Sequence, residues 1–220
     1  MCSQSGAIAL YLQKKDAFYQ NQSHWIDNRP VIHIMPHWNF EGMEGEEILM
    51  RAYTNCDETE LYLNGKSLGK RKVERYGHAD WKVPYEKGVL RVVGRNSGED
   101  VIYDEVKTSQ KAISLKLKLE NTVNYANGRD LAIITCYCVD NNGIMVFDAE
   151  PFIHFDTNQY GKIVGTGSDI TDHIPPKESD RRMRAGLCAV AVKVGKELGE
   201  LKVYARADGM KTAILKINLS

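Results

Sequence analysis

Apolar and β-branched side chains come at alternate positions or in short runs over residues 31–35, 47–53, 60–63, 81–85, 89–93 and 101–106. That is the two-residue period of a strand, whose successive side chains point to opposite faces of a sheet. Between Glu60-Leu61-Tyr62-Leu63 and Lys66, Asn64-Gly65 predicts a two-residue hairpin, because both residues tolerate the positive φ that such a turn requires. Glu86-Lys87-Gly88 and Asn96-Ser97-Gly98 predict further turns. Thr108-Ser109-Gln110-Lys111 is polar and aperiodic, and after it Ile113, Leu115, Leu117 and Leu119 alternate with Ser114, Lys116 and Lys118. A domain boundary is therefore expected near residue 110. Strand patterns resume at 131–139, 152–155, 161–165, 187–192, 201–207 and 213–217, with a turn at Asn141-Asn142-Gly143.

Residues 7–25 form the one stretch with a helical pattern. Asp16 is the expected N-cap, Phe18, Gln22 and Trp25 fall near one face, and Asn28-Arg29-Pro30 ends the helix. Residues 166–184 carry Pro175 and Pro176, which argue against a central strand and predict a surface excursion. Many short strands at this spacing make the chain all-β. The expected organisation is a short N-terminal helix within 1–30, then two tandem immunoglobulin-like β-sandwiches over 31–110 and 111–220.

The length of 220 residues suits two such modules of about one hundred residues each. Lys plus Arg and Asp plus Glu both number 29, so no net field holds a polyanion and nucleic acid is discounted as a partner. No apolar run approaches the roughly twenty residues of a membrane span. The opening Met1-Cys2-Ser3-Gln4-Ser5-Gly6 lacks a basic, then apolar leader, and the chain reads as beginning inside a larger protein. The cysteines Cys2, Cys56, Cys136, Cys138 and Cys188 are odd in number and without a Cys-x-x-Cys pair, fitting buried thiols rather than a disulfide framework or a metal site. No cofactor is expected.

Candidate chemistry is sparse. Glu41, Glu44, Glu46 and Glu47 crowd together, but Gly42 and Gly45 make the segment a turn that leaves each carboxyl in water. His33 and His37 are four apart, yet the strand pattern and Pro36 deny them the helix that would aim both at one metal. Asp172-His173 near Ser168 and Ser179 lacks a nucleophile-elbow sequence. Asn21-Gln22-Ser23 is a glycosylation sequon of a length that arises by chance. Trp81 lies in a strand pattern with Val83 and Tyr85 and is expected in the core. His37, Trp38 and Asn39 form the remaining group: an indole can stack on a sugar while His and Asn serve its hydroxyls, or the cluster can fill an interface.

Pro36-His37-Trp38-Asn39-Phe40, Tyr53-Thr54-Asn55-Cys56-Asp57 and the run from Glu60 to Gly69 resemble the stretch that follows the catalytic barrel in bacterial glycoside hydrolase family 2 enzymes of the β-galactosidase type. Lys15, Asp16, Phe18, Tyr19, Ser23 and Trp25 resemble the last helix of that barrel. Asp130, Val139-Asp140, Gly143, Gly161-Lys162-Ile163, Gly186-Leu187 and Asp208-Gly209-Met210-Lys211 are similar to the bacterial Ig-like module that closes many of these enzymes. The resemblance implies a non-catalytic accessory region that buttresses the barrel and shapes its entrance. Both glutamates of a retaining glycosidase would lie upstream, and the parent would be exported or periplasmic.

On that reading the partner is the missing barrel. Phe18, Tyr19 and Trp25 form a docking face, carbohydrate meets His37, Trp38 and Asn39 if any part touches it, and an uncovered docking face self-associates. A free-standing carbohydrate-binding or adhesive Ig-like protein is the competing reading. The aromatic helix leading into the His37-Trp38 motif distinguishes the two, since an adhesin does not require it.

Overall fold

The computed structural model describes residues 6–9, 12–169 and 172–220, and it divides into two compact units, Gln13–Thr108 and Ser109–Ser220. Cys2 and Thr171 lie outside the described residues. The all-β expectation holds: among the described residues one helix is followed by fifteen strands. Among the described residues no helix is long and apolar enough to cross a membrane.

In the first unit, α1 (Asp16–Trp25) precedes β1 (Ile32–Met35), β2 (Glu47–Thr54), β3 (Glu58–Leu63), β4 (Lys66–Lys72), β5 (His78–Pro84), β6 (Val89–Asn96) and β7 (Glu99–Lys107). A three-stranded antiparallel sheet, β1-β2-β5, faces a four-stranded one, β4-β3-β6-β7. Alternation builds the core between them: Ala79, Trp81 and Val83 of β5 point inward while His78, Lys82 and Pro84 stay exposed. Met50, Leu61, Leu90 and Val92 meet Trp81 there without measurable exposure.

The helix is shorter than its sequence pattern. It spans only Asp16–Trp25, and its N-cap position is Lys15, with no side-chain capping bond. Asp16 is therefore the first helical residue rather than the cap, and its carboxylate receives His33 Nε2 at 3.0 Å instead. Ahead of the helix, Ile8 and Lys14 are joined by an antiparallel bridge.

Asn64 and Gly65 adopt φ of 51° and 81°, the pair of positive angles that a type I′ hairpin demands. Asn64 also reaches sideways, its Nδ2 donating to Glu86 Oε1 at 2.7 Å and its Oδ1 accepting from Val89 N at 2.9 Å. Open space surrounds the position where a Gly65 Cβ would sit, so replacement by Val strains the backbone without a clash. Gly65→Val is expected to lower the stability of the first unit by about 1–3 kcal/mol. Chemical denaturation followed by tryptophan fluorescence measures it, since Trp25, Trp38 and Trp81 all lie in that unit.

The second unit holds β8 (Ser114–Leu119), β9 (Leu131–Val139), β10 (Phe152–Thr157), β11 (Gly161–Gly167), β12 (Asp180–Arg182), β13 (Leu187–Val194), β14 (Gly199–Arg206) and β15 (Ala213–Leu219). They form two four-stranded antiparallel sheets, β11-β13-β9-β8 and β12-β10-β14-β15. Ile134, Phe155, Val190, Leu201 and Val203 fill the space between them. Cys136 and Cys138 are buried on the inner face with Cys188, which sits opposite Cys136 in the β9-β13 ladder. Burial, then the neighbouring Cys136, pushes the Cys138 thiol up to about 12, leaving it an inert core group.

The excursion expected at 166–184 is pinned. Thr166 and Gly167 end β11, Asp180–Arg182 forms the edge strand β12, and between them Arg181 turns inward to 1% exposure. Its guanidinium donates to Asp172 Oδ2 at 2.7 Å, to the Ile174, Pro175 and Thr166 carbonyls, and to Thr166 Oγ1. Pro175 and Pro176 do lie outside the sheet, between β11 and β12. A buried cation needs this density of acceptors to offset its lost hydration.

Candidate functional site

The aromatic group after β1 folds into a knot of three loops. Trp38 is fully buried, its Nε1 donating to the Glu86 carbonyl at 2.8 Å and its own carbonyl accepting from Thr108 Oγ1 at 2.9 Å. Tyr85 and Phe40 present ring edges to the indole at centroid distances of 5.1 and 6.2 Å, the arrangement aromatic quadrupoles favour. His37 stacks on Phe40 at 4.9 Å, and its Nδ1 accepts the Asn39 backbone N–H at 3.2 Å. The three candidate residues thus part company. Trp38 turns into the core, whereas His37 and Asn39 remain half-exposed.

The helix has two faces of different use. Asp16, Tyr19 and Ser23 recur at helical spacing on the side that meets the first sheet; Ser23 is buried, and the Tyr19 ring stacks on His33 at 3.8 Å and 18°. Phe18 and Trp25, seven residues apart, lie on another side. Trp25 is 76% exposed, while Phe18 carries the Lys14 ammonium over its ring at 4.8 Å. Asn55 closes the exit from the helix, its Nδ2 donating to the carbonyls of Ile26 and Arg29 and its Oδ1 accepting from Val31 N.

His33, weighed in the sequence only as a metal ligand, is the centre of a clasp. Its Nε2 lies 3.0 Å from Asp16 Oδ1 on the helix and its Nδ1 3.4 Å from Asp104 Oδ2 on β7. Burial disfavours the imidazolium, but the bonds and charges of Asp104 and Asp16 outweigh it and raise the pKa above 6.5. Asp104 shows the converse: burial raises its pKa, yet His33 and the Ile34 N–H bring the net value below 3.8. No local signal marks this pairing, because Asp104 stands 71 residues from His33 and meets it only through the sandwich.

The sign of the pH dependence follows. A pKa raised by folding gives a contribution fully present below pH 6.5 and lost as pH rises through the folded value. Asp104 contributes above pH 3.8 and loses that contribution as pH falls. The first unit is therefore expected to melt at a higher temperature near pH 5.5 than near pH 8. His33→Gln should flatten that difference in the same melting series.

The other candidates have structural duties. Glu41 and Glu44 are exposed and flank the Lys87 ammonium at 3.9 and 3.6 Å. Glu60 is drawn down to about 2, first by the Ser67 hydroxyl and then by Tyr62 and Arg95, overcoming its burial. Ser168 Oγ does meet Asp172 Oδ2 at 3.0 Å, but the same oxygen holds Arg181 at 2.7 Å, so it is spent on a buried ion pair. Every carboxyl whose pKa shifts clearly among the described residues shifts down: Glu60, Asp80, Asp104, Glu105, Asp140, Asp172 and Glu200. A glycosidase's general acid requires the opposite displacement. Among the described residues no group of three or more His, Cys, Asp and Glu is placed to hold a metal.

Comparison with known proteins assigns both units. Residues 45–102 match a domain of unknown function, DUF4982, and residues 115–216 match the glycoside hydrolase family 2 C-terminal domain 5. The β-galactosidase BoGH2A of Bacteroides ovatus is 34% identical over 216 residues, 97% of this chain and 25% of that protein. A putative β-glucuronidase of Formosa agariphila is 37% identical over 142 residues, covering 63% of this chain and 14% of its own length. Among solved structures, a β-glycosidase from Bacteroides vulgatus superposes with a TM-score of 0.93 at 28% identity over 99% of this chain and 28% of its own. A glycosyl hydrolase family 2 member from Bacteroides cellulosilyticus gives 0.89 at 29% identity over 98% and 32%. The chain thus spans about a quarter of the length of BoGH2A.

Proposed function

This chain belongs to the C-terminal region of glycoside hydrolase family 2 enzymes, and we propose that it serves there as a non-catalytic accessory part docked against the catalytic barrel. The parent's reaction is retaining hydrolysis of a β-linked glycoside. Relatives named as a β-galactosidase and as a putative β-glucuronidase support that bond class and leave the sugar open. The downward shift of every clearly perturbed carboxyl supports the non-catalytic role, because protonating a leaving group near neutral pH needs a carboxyl that keeps its proton there.

Docking is carried by the helix. Tyr19 is engaged by His33 within the unit, which leaves Phe18 and the exposed Trp25 as the face offered to the barrel, with the half-exposed His37 and Asn39 as the polar pair that would meet carbohydrate at its entrance. An uncovered indole is also the group through which the isolated chain self-associates.

The test compares one substitution in two contexts. Trp25→Ser is expected to lower the melting temperature of the full-length enzyme while leaving that of the 220-residue chain unchanged. Equal effects in both contexts, or none in the full-length enzyme, would refute docking through this face.

A further inference from the structure

The first unit holds a cavity of about 360 Å³, within the range of small-ligand sites, and neither the fold nor the docking role uses it. His24, Asp27, Asp57, Glu74, Arg75 and Tyr76 line it, brought together from the end of α1, the β2-β3 turn and the loop between β4 and β5. His24 Nε2 has no solvent exposure and no hydrogen-bond partner. A buried imidazole nitrogen left unpaired is costly. Arg75 pairs with Asp27 at 3.1 Å and lays its guanidinium over the Tyr76 ring at 4.9 Å, while His24 meets that ring edge-on at 5.6 Å. Even so, Tyr76 remains 58% exposed.

We propose that this cavity binds one neutral pyranose unit of a carbohydrate, a non-catalytic saccharide site in the accessory region. The inference rests on the family reading for its ligand class and on the lining for everything else. Three carboxylates against one guanidinium repel an anion and offer acceptors to hydroxyl donors, which a sugar supplies in number. The exposed part of the Tyr76 ring provides the apolar surface on which a pyranose lays its C–H face. The same lining discriminates against a uronic acid, whose carboxylate would meet Asp57 and Glu74.

Titration of the isotope-labelled chain with methyl β-galactoside, methyl β-glucoside and glucuronate, followed by amide and imidazole resonances, tests this. Saturable shifts confined to His24, residues 55–57 and residues 74–76 are expected for the neutral glycosides, with Kd in about the millimolar range. Glucuronate should bind about tenfold more weakly. Tyr76→Ala and Glu74→Gln should each weaken neutral-sugar binding by at least about fivefold, and Glu74, being exposed, can be changed without disturbing the core. The proposal is overturned if these residues do not shift, if glucuronate binds as tightly, or if well-folded Glu74→Gln binds like the unchanged chain. Because the titration contains no barrel, its failure leaves the parent's hydrolytic activity untouched, and an inactive parent would leave a positive titration standing.

Discussion

Arg181→Leu is expected to destabilise the second sandwich by about 3–5 kcal/mol, the range for breaking a buried ion pair by removing one partner. The loss is compound. Asp172, with a side chain only 7% exposed, keeps its charge without its cation, and the Thr166, Ile174 and Pro175 carbonyls lose a donor. Leucine supplies comparable apolar bulk, so the lost polar contacts dominate over any cavity. Asp172 sets the pH dependence of the same lock: burial raises its pKa, but the Ile174 N–H, the Ser168 hydroxyl and Arg181 together hold it below 3.8. Its contribution is therefore present above pH 3.8 and lost as pH falls through the folded value. No tryptophan lies in this unit. Urea unfolding followed by far-ultraviolet circular dichroism should show an earlier transition, while the fluorescence transition of the first unit stays in place. A shift below about 1 kcal/mol would mean that the segment around Arg181 is not held as described.

Trp38→Ala is expected to destabilise the first sandwich by about 3–5 kcal/mol, as large-to-small replacements of buried aromatics do. The indole is enclosed by Phe40 and Tyr85, and its N–H is the donor to the Glu86 carbonyl, so alanine leaves both a void and an unpaired acceptor. Trp38→Phe separates the two terms, retaining most of the volume while giving up the hydrogen bond, and should cost about 1–3 kcal/mol. Fluorescence of Trp81, buried with its Nε1 donating to the Gly69 carbonyl at 3.1 Å, reports the transition in both variants. In the full-length enzyme a packing role predicts lower stability with kcat/KM preserved, and a sugar-binding role predicts a higher KM with stability preserved.

Much of the architecture was legible because one strong rule acted locally. Where one sheet face is buried, the two-residue period appears in the residues themselves, as in Ala79-Asp80-Trp81-Lys82-Val83, and Asn64-Gly65 announces its turn by backbone sterics alone. Where that rule does not apply, the strand was missed or legible only through its turn. β12 consists of Asp-Arg-Arg and went unseen, while β4, an edge strand with half-buried or exposed residues throughout, shows no apolar alternation in Lys66–Lys72 and was marked only as the second arm of the Asn64-Gly65 hairpin. The prolines put the whole of residues 166–184 on the surface, while the acceptors that make the burial of Arg181 tolerable come from a bend several residues away from it. Asp16 was misassigned for a related reason. Its type and position suit a cap, but His33 draws its carboxylate across the sheet.

The candidate site was less legible than the fold. The Pro36–Phe40 group marked the knot that joins three loops, yet which of its side chains turn inward depends on Tyr85, Glu86 and Thr108, distant in sequence. His24 and Tyr76 gave no signal at all, for neither belongs to a motif and only the fold brings them to one cavity.

The most direct measurement is side-by-side turnover of aryl β-galactoside and aryl β-glucuronide by the full-length enzyme and by this 220-residue chain, both verified as folded. Cleavage by the full-length enzyme and none by the chain is the predicted result. Cleavage by the pure chain that disappears when one of its own carboxylates is replaced, or a full-length enzyme inactive on every β-glycoside offered, would contradict the assignment of this chain as a non-catalytic part of a β-glycosidase.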